Sequence, residues 1–164
     1  MSEEHTHEWV RSDRVPGMFQ CACEPSSMLH DFISTTAADA KQIAGSSYYT
    51  GCRTHRDTNT LELWLASAPA ELLTELEELH PGIYVIHNDA PTSEADLFKM
   101  RETLPVERLK AEGIRVVRVG PTHDGYLHVS VMGDVPAAQA RLDAMFGRNV
   151  ARVEYGEPAI ALQG

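Results

Sequence analysis

Apolar residues occupy every second position in two runs about 66 residues apart, Thr60-Leu61-Glu62-Leu63-Trp64-Leu65 and Tyr126-Leu127-His128-Val129-Ser130-Val131. Strict alternation predicts strands with one apolar and one polar face. Each run leads to a small-residue turn with proline (Ala68-Pro69, then Val135-Pro136), an amphipathic helix, and a short apolar strand, Ile83 to Ile86 and Val150 to Tyr155. The offset exceeds the roughly 20–50-residue periods of solenoids and propellers, so the pattern predicts one lobe duplicated, not an array.

The rest of the chain fits around these lobes. Ser26-Ser27 offers an N-cap for a helix to about Ile43, with Leu29, Phe32, Ile33, Ala40 and Ala44 on one stripe. Tyr48 to Thr54 reads as a strand, and Arg56-Asp57-Thr58-Asn59 as the hairpin turn that follows. Leu72, Leu73, Leu76 and Leu79 give a helix from Pro69 that His80-Pro81-Gly82 stops. Thr92 or Ser93 caps a helix running to Ala111, with Leu97, Met100, Leu104 and Leu109 inward and an interruption at Pro105. Ile114 to Val119 is the next strand, and Asp124-Gly125 supplies the positive φ of its hairpin. The prediction is an α+β fold of two duplicated ββαβ lobes, residues 46–90 and 113–156, joined by a helix at 91–112. A helix at 26–45 and an irregular, flexible arm at 1–25 precede them, and an extended tail at 157–164 follows.

Charge narrows the partners. The chain carries 24 acidic and 14 basic side chains, a net charge of −10, which opposes phosphate-backbone binding; nucleic acid is not an expected partner. No apolar run approaches the roughly 18 residues of a membrane span, so no membrane partner is expected either. The acidic start, Met1-Ser2-Glu3-Glu4-His5, lacks the pattern of a secretory signal, giving a cytoplasmic expectation. In that setting Cys21, Cys23 and Cys52 read as free thiols.

Candidate chemistry is sparse. The one cluster with metal-ligand character is Cys21 and Cys23 with His5 and His7, which would suit zinc. One residue between the cysteines falls outside the usual structural-zinc spacing, and an arm with incidental cysteines is the plainer reading, so no cofactor and no metal ligand are expected. Cys52 with His55 or His87 is a candidate thiol site, against the reading of a small buried hydrophobe. The eight histidines read as scattered surface residues, and the glutamates at 71, 75, 77, 78, 102, 107 and 112 as solvated helix faces. Phosphate loops, nucleophile elbows and His-Glu-x-x-His are absent, so no catalytic residue is assigned.

The segments Gly113-Ile114…Val119-Gly120, Asp124-Gly125-Tyr126-Leu127-His128-Val129-Ser130-Val131, Ala137-Ala138 to Phe146-Gly147 and Val150…Tyr155-Gly156-Glu157-Pro158 resemble a known family. They look like the pro-region domains of actinobacterial secreted serine proteases of the α-lytic protease and streptogrisin type. Tyr48-Tyr49…Asp57-Thr58-Asn59-Thr60-Leu61-Glu62-Leu63 is similar as well, and the likeness covers roughly residues 45–162. The resemblance implies a non-enzymatic module that inhibits or helps fold a trypsin-like protease, with its tail in the partner's cleft. A Gly-Asp-Ser-Gly nucleophile motif is absent here, so such a role would be played in trans. Independently, an extended segment after an edge strand can add to a partner's sheet. Tyr155, Glu157, Pro158, Ile160 and Leu162 are the residues expected to bind that partner. Two other readings stand beside it. One is a component of a larger assembly docked through the arm; the other is a zinc- or thiol-dependent enzyme.

Overall fold

The computed structural model describes residues 9–11, 19–21 and 29–157, with side chains from Thr35 onward. Two short strands, β1 (Trp9–Arg11) and β2 (Phe19–Cys21), pair antiparallel. The arm expected to be irregular therefore holds a small ladder, too short to show as alternation in the sequence. The Ser26-Ser27 cap and the cluster of His5, His7 and Cys23 lie outside the described residues.

Helix α1 (Leu29–Tyr48) breaks at Gly45, the end of the predicted helix, whose φ of 64° and ψ of 178° are not helical, and a further short turn runs on to Tyr48. Strands β3 (Tyr49–His55) and β4 (Thr60–Leu65) form a hairpin, and α2 (Ala70–Leu79) crosses to β5 (Tyr84–His87), which lies parallel to β4. The second lobe repeats this order. Strands β6 (Arg115–Pro121) and β7 (Leu127–Met132) form the hairpin, and α5 (Val135–Phe146) crosses to β8 (Ala151–Tyr155), parallel to β7. The sheets are ordered β3-β4-β5 and β6-β7-β8, so β3, β5, β6 and β8 are edges. The fold is α+β, with duplicated lobes.

The duplication extends to individual bonds. Leu61 N–H donates to Ile83 O and Leu127 N–H to Val150 O, both at 2.9 Å. Ala90 N–H bonds Leu65 O as Gly156 N–H bonds Val131 O. Each hairpin carries a bulge at the matching place, between Tyr49 and Gly51 and between Val116 and Arg118. A bulge inserts one unpaired residue and sharpens the twist.

Between the lobes the helix is interrupted where expected, giving α3 (Glu94–Thr103) and α4 (Val106–Ala111), divided at Pro105, which has no N–H to continue the ladder. They do not merely connect. Leu97, Leu104 and Leu109 pack with Leu127, Val129, Val131 and Leu142 in the second core, as Ala40 and Ala44 of α1 pack with Leu61, Leu63, Leu65 and Leu76 in the first. The repeated unit is therefore αββαβ. Each fully buried leucine contributes about 1.5–3 kcal/mol of transfer free energy, so each lobe has a core of its own.

Candidate protein-binding site

Alternation sends Leu61, Leu63 and Leu65 to the helices and Glu62 and Trp64 to the opposite face. There Glu62 lies between two histidines: His55 Nε2 is 2.7 Å from Oε2 and His87 Nε2 is 3.4 Å from Oε1. The hydrogen bond to His55, helped by that to His87, outweighs partial desolvation and holds the Glu62 carboxyl below the usual carboxylate range. Trp64 stacks on His87 with ring centroids 5.0 Å apart and meets the His123 ring edge-on at 4.6 Å. His123 comes from the β6–β7 turn, so the second lobe rests on the outer face of the first. These histidines are a constellation, not the scattered surface set expected, because the β4–β5 pairing and the lobe contact bring together rings far apart in sequence.

The second sheet repeats the diagonal pair with the roles exchanged. His128 stands on the central strand and Glu154 on the edge, 3.0 Å apart, and Ser130 Oγ donates to the same carboxylate at 3.2 Å. The bond to His128 is the main cause that holds Glu154 below the usual range. Beside it Arg152 lies over the Tyr126 ring, 3.2 Å from its centroid, and bonds Asp124 at 3.1 Å. Burial works against the Asp124 charge, but the Thr122 hydroxyl and the Arg152 guanidinium together keep its carboxyl below its ordinary value.

Cys52 pairs across the ladder with Leu63 and packs against the first core, where the Tyr49 hydroxyl is 3.5 Å from its sulfur. His55 and His87 lie on the other face, so the sheet separates the thiol from both candidate bases. Among the described residues no group of three or more His, Cys, Asp or Glu side chains is arranged to hold a metal ion. An open cleft of about 670 Å³ runs between the lobes, with Ser67, Thr92, Ser93, Asp96, Phe146 and Val150 in its walls. Three of its polar side chains bond one another: Ser93 caps α3 through Asp96 N–H, and Lys99 bonds the Asp96 carboxylate at 3.1 Å.

The last residue of β8 and the segment after it, residues 155–162, are where the sequence placed partner binding. Tyr155 is 60 % exposed at the end of the strand, and Glu157 is exposed just beyond. Pro158, Ile160 and Leu162 lie outside the described residues. Even-numbered β8 residues face β7, as the bonds of Val150 O and Gly156 N–H to it require, so Ala151, Val153 and Tyr155 turn their backbone groups to the free edge. The first part of that edge is occupied: Gln139 of α5 accepts from Val153 N–H and donates to Ala151 O, each at 2.9 Å. Side-chain cover of this kind blunts an edge strand. Sequence reading missed Gln139; its one signal is a polar residue at the place where the sibling helix carries the half-buried Leu73.

Among the described residues no helix is long and apolar enough to cross a membrane. No family model, no curated protein and no solved structure matches the chain.

Proposed function

We propose that this chain is a non-enzymatic protein-binding module that engages its partner through the C-terminal end of β8 and the segment that follows. The observation that carries the reading is the edge at Tyr155. Pairing to β7 continues through Gly156 N–H, while Tyr155 stays 60 % exposed, and Gln139 leaves the Tyr155 backbone uncovered. Main-chain bonds at such an edge supply affinity, and alternate side chains supply selectivity. Tyr155, Glu157, Pro158, Ile160 and Leu162 are the contact residues in this reading. The resemblance to protease pro-regions names the partner class, a trypsin-like serine protease inhibited or chaperoned in trans.

The test is titration of the chain into a panel of trypsin-like proteases, with binding followed by calorimetry and activity by substrate hydrolysis. Binding that is abolished by removing residues 157–164 and weakened by Tyr155→Ala is the expected result. Equal affinity of the truncated chain would overturn the site, and no binding across the panel would overturn the partner class.

A further inference from the structure

We infer that β8 is also a self-complementary edge, at which two copies of this chain pair antiparallel about Val153, and that Gln139 limits this association by occupying the groups it needs. The inference rests on the free edge alone and not on the protease reading. It uses residues 151–155, whereas the proposed heterologous partner uses Tyr155 onward.

The strand reads Ala151-Arg152-Val153-Glu154-Tyr155. In a two-fold antiparallel pair centred on Val153, Arg152 of each copy stands opposite Glu154 of the other, and Tyr155 stands opposite Ala151. Directly opposed side chains on one face of an antiparallel pair lie about 4.5–5.5 Å apart at Cβ, close enough for opposite charges to interact. Arg152 and Glu154 both project to the sheet face away from α5, where Arg152 covers Tyr126 and Glu154 meets His128 and Ser130. Both are exposed, at 54 % and 60 % of their side chains, so a partner copy can reach them. On the other face the small Ala151 gives room beside the exposed Tyr155 ring. A centre at Arg152 or at Glu154 would oppose like charges, so the charges select one register.

The backbone is in the right phase. Val153 turns its N–H and C=O to the free edge, and a closed pair about it would use Val153 N–H and Ala151 O from each copy. Those are the two groups that Gln139 holds at 2.9 Å. Gln139 is itself steadied by Asp143, which accepts from its amide nitrogen at 2.9 Å. The side chain therefore competes with a second copy for the same donor and acceptor. The first lobe lacks this guard, since Leu73 occupies the matching position and packs against the core.

Analytical ultracentrifugation of the full chain alone, across a concentration series, tests the inference without any other protein present. Gln139→Leu, which installs the sibling lobe's residue, is expected to tighten self-association by about tenfold or more, since two edge groups lose their internal partners. Gln139→Ser, too short to reach the strand, is expected to act in the same direction and serves if the leucine variant does not fold. In either background Arg152→Glu or Glu154→Arg alone is expected to weaken the dimer by about tenfold, and the two together to restore it, with circular dichroism confirming the fold. Variants at Gln139 that stay monomeric at about 1 mM, where even a weak pair would show, overturn the inference. So do charge variants that fold but leave the dimer unchanged, or a double variant that fails to recover it.

Discussion

A methyl group on residue 51 would stand 2.6 Å from both Cα and the carbonyl oxygen of His123, because the β6–β7 turn rests directly on Gly51. The obstructing atoms are backbone, so no rotamer change relieves them. Gly51→Ala is expected to destabilise the protein by about 1–3 kcal/mol, the usual cost of overpacking, measured by urea denaturation; an unchanged midpoint would show that the turn moves freely. The carboxylates of the outer faces give a second residue-level expectation. Glu62 and Glu154 both titrate below the ordinary glutamate range because histidines hydrogen-bond their charged forms. A depressed pKa in the folded state contributes stability that is present above the unfolded value, about 4.3, and is lost as pH falls through the folded value. Thermal stability should decline on acidification below about pH 5, and less steeply in a Glu62→Gln, Glu154→Gln variant; parallel slopes for the two proteins would contradict the assignment. At this scale the sequence was informative where neighbours are local. Cys52 as a packed hydrophobe followed from its residue type, and Asp124-Gly125 as a turn from its dipeptide, with Gly125 at φ 93°. The grouping of His55, His87 and His123 around Glu62 and Trp64 did not follow, because it needs a parallel strand pairing and a contact between lobes, neither of which is written in spacing.

Elements were legible to the extent that their hydrophobic period and punctuation agreed. Alternation marked β4 and β7, and proline followed by helical spacing marked α2 and α5. Asp134 caps α5 by accepting from Ala137 N–H at 3.0 Å, while α2 begins at Pro69 with no side-chain cap. Asp134→Ala should therefore cost about 1 kcal/mol in chemical denaturation, within the usual 0.5–2 kcal/mol for a lost cap, whereas Pro69→Ala should cost less; the reverse order would show that the cap is not what starts α5. The division of α3 from α4 was signalled by Pro105, and the inward side of both by the spacing of Leu97, Met100, Leu104 and Leu109; which lobe's core they complete was not. Leu97, Leu104 and Leu109 are buried there, with Met100 half-buried against them. Strands β1 and β2 are three residues each, too short for a period of two to be distinguished from chance. Gln139 was the costliest omission, since its significance lies in main-chain groups of a strand twelve to fourteen residues away.

At the scale of the whole molecule the two cores are separate, and the contact between lobes decides whether they behave as one. That contact is small and specific: Trp64 against His123, the His123 backbone on Gly51, Thr50 Oγ donating to Thr92 O at 3.0 Å, and Lys41 reaching Glu94 at 2.7 Å. Leu142→Ala removes a fully buried side chain from the second core and should cost about 2–5 kcal/mol, a large share of a typical domain's 5–15 kcal/mol. With the contact intact, amide exchange in β3, β4 and β5 should accelerate together with that in β6, β7 and β8, because the first lobe loses the turn that covers its outer face. Adding Trp64→Ala removes the ring on which His123 rests. The same core lesion should then speed exchange in the second lobe only, and thermal unfolding should separate into two steps. First-lobe protection that ignores Leu142→Ala while Trp64 is present would mean that the duplicated units share a chain and a docking face, but not a cooperative unfolding transition.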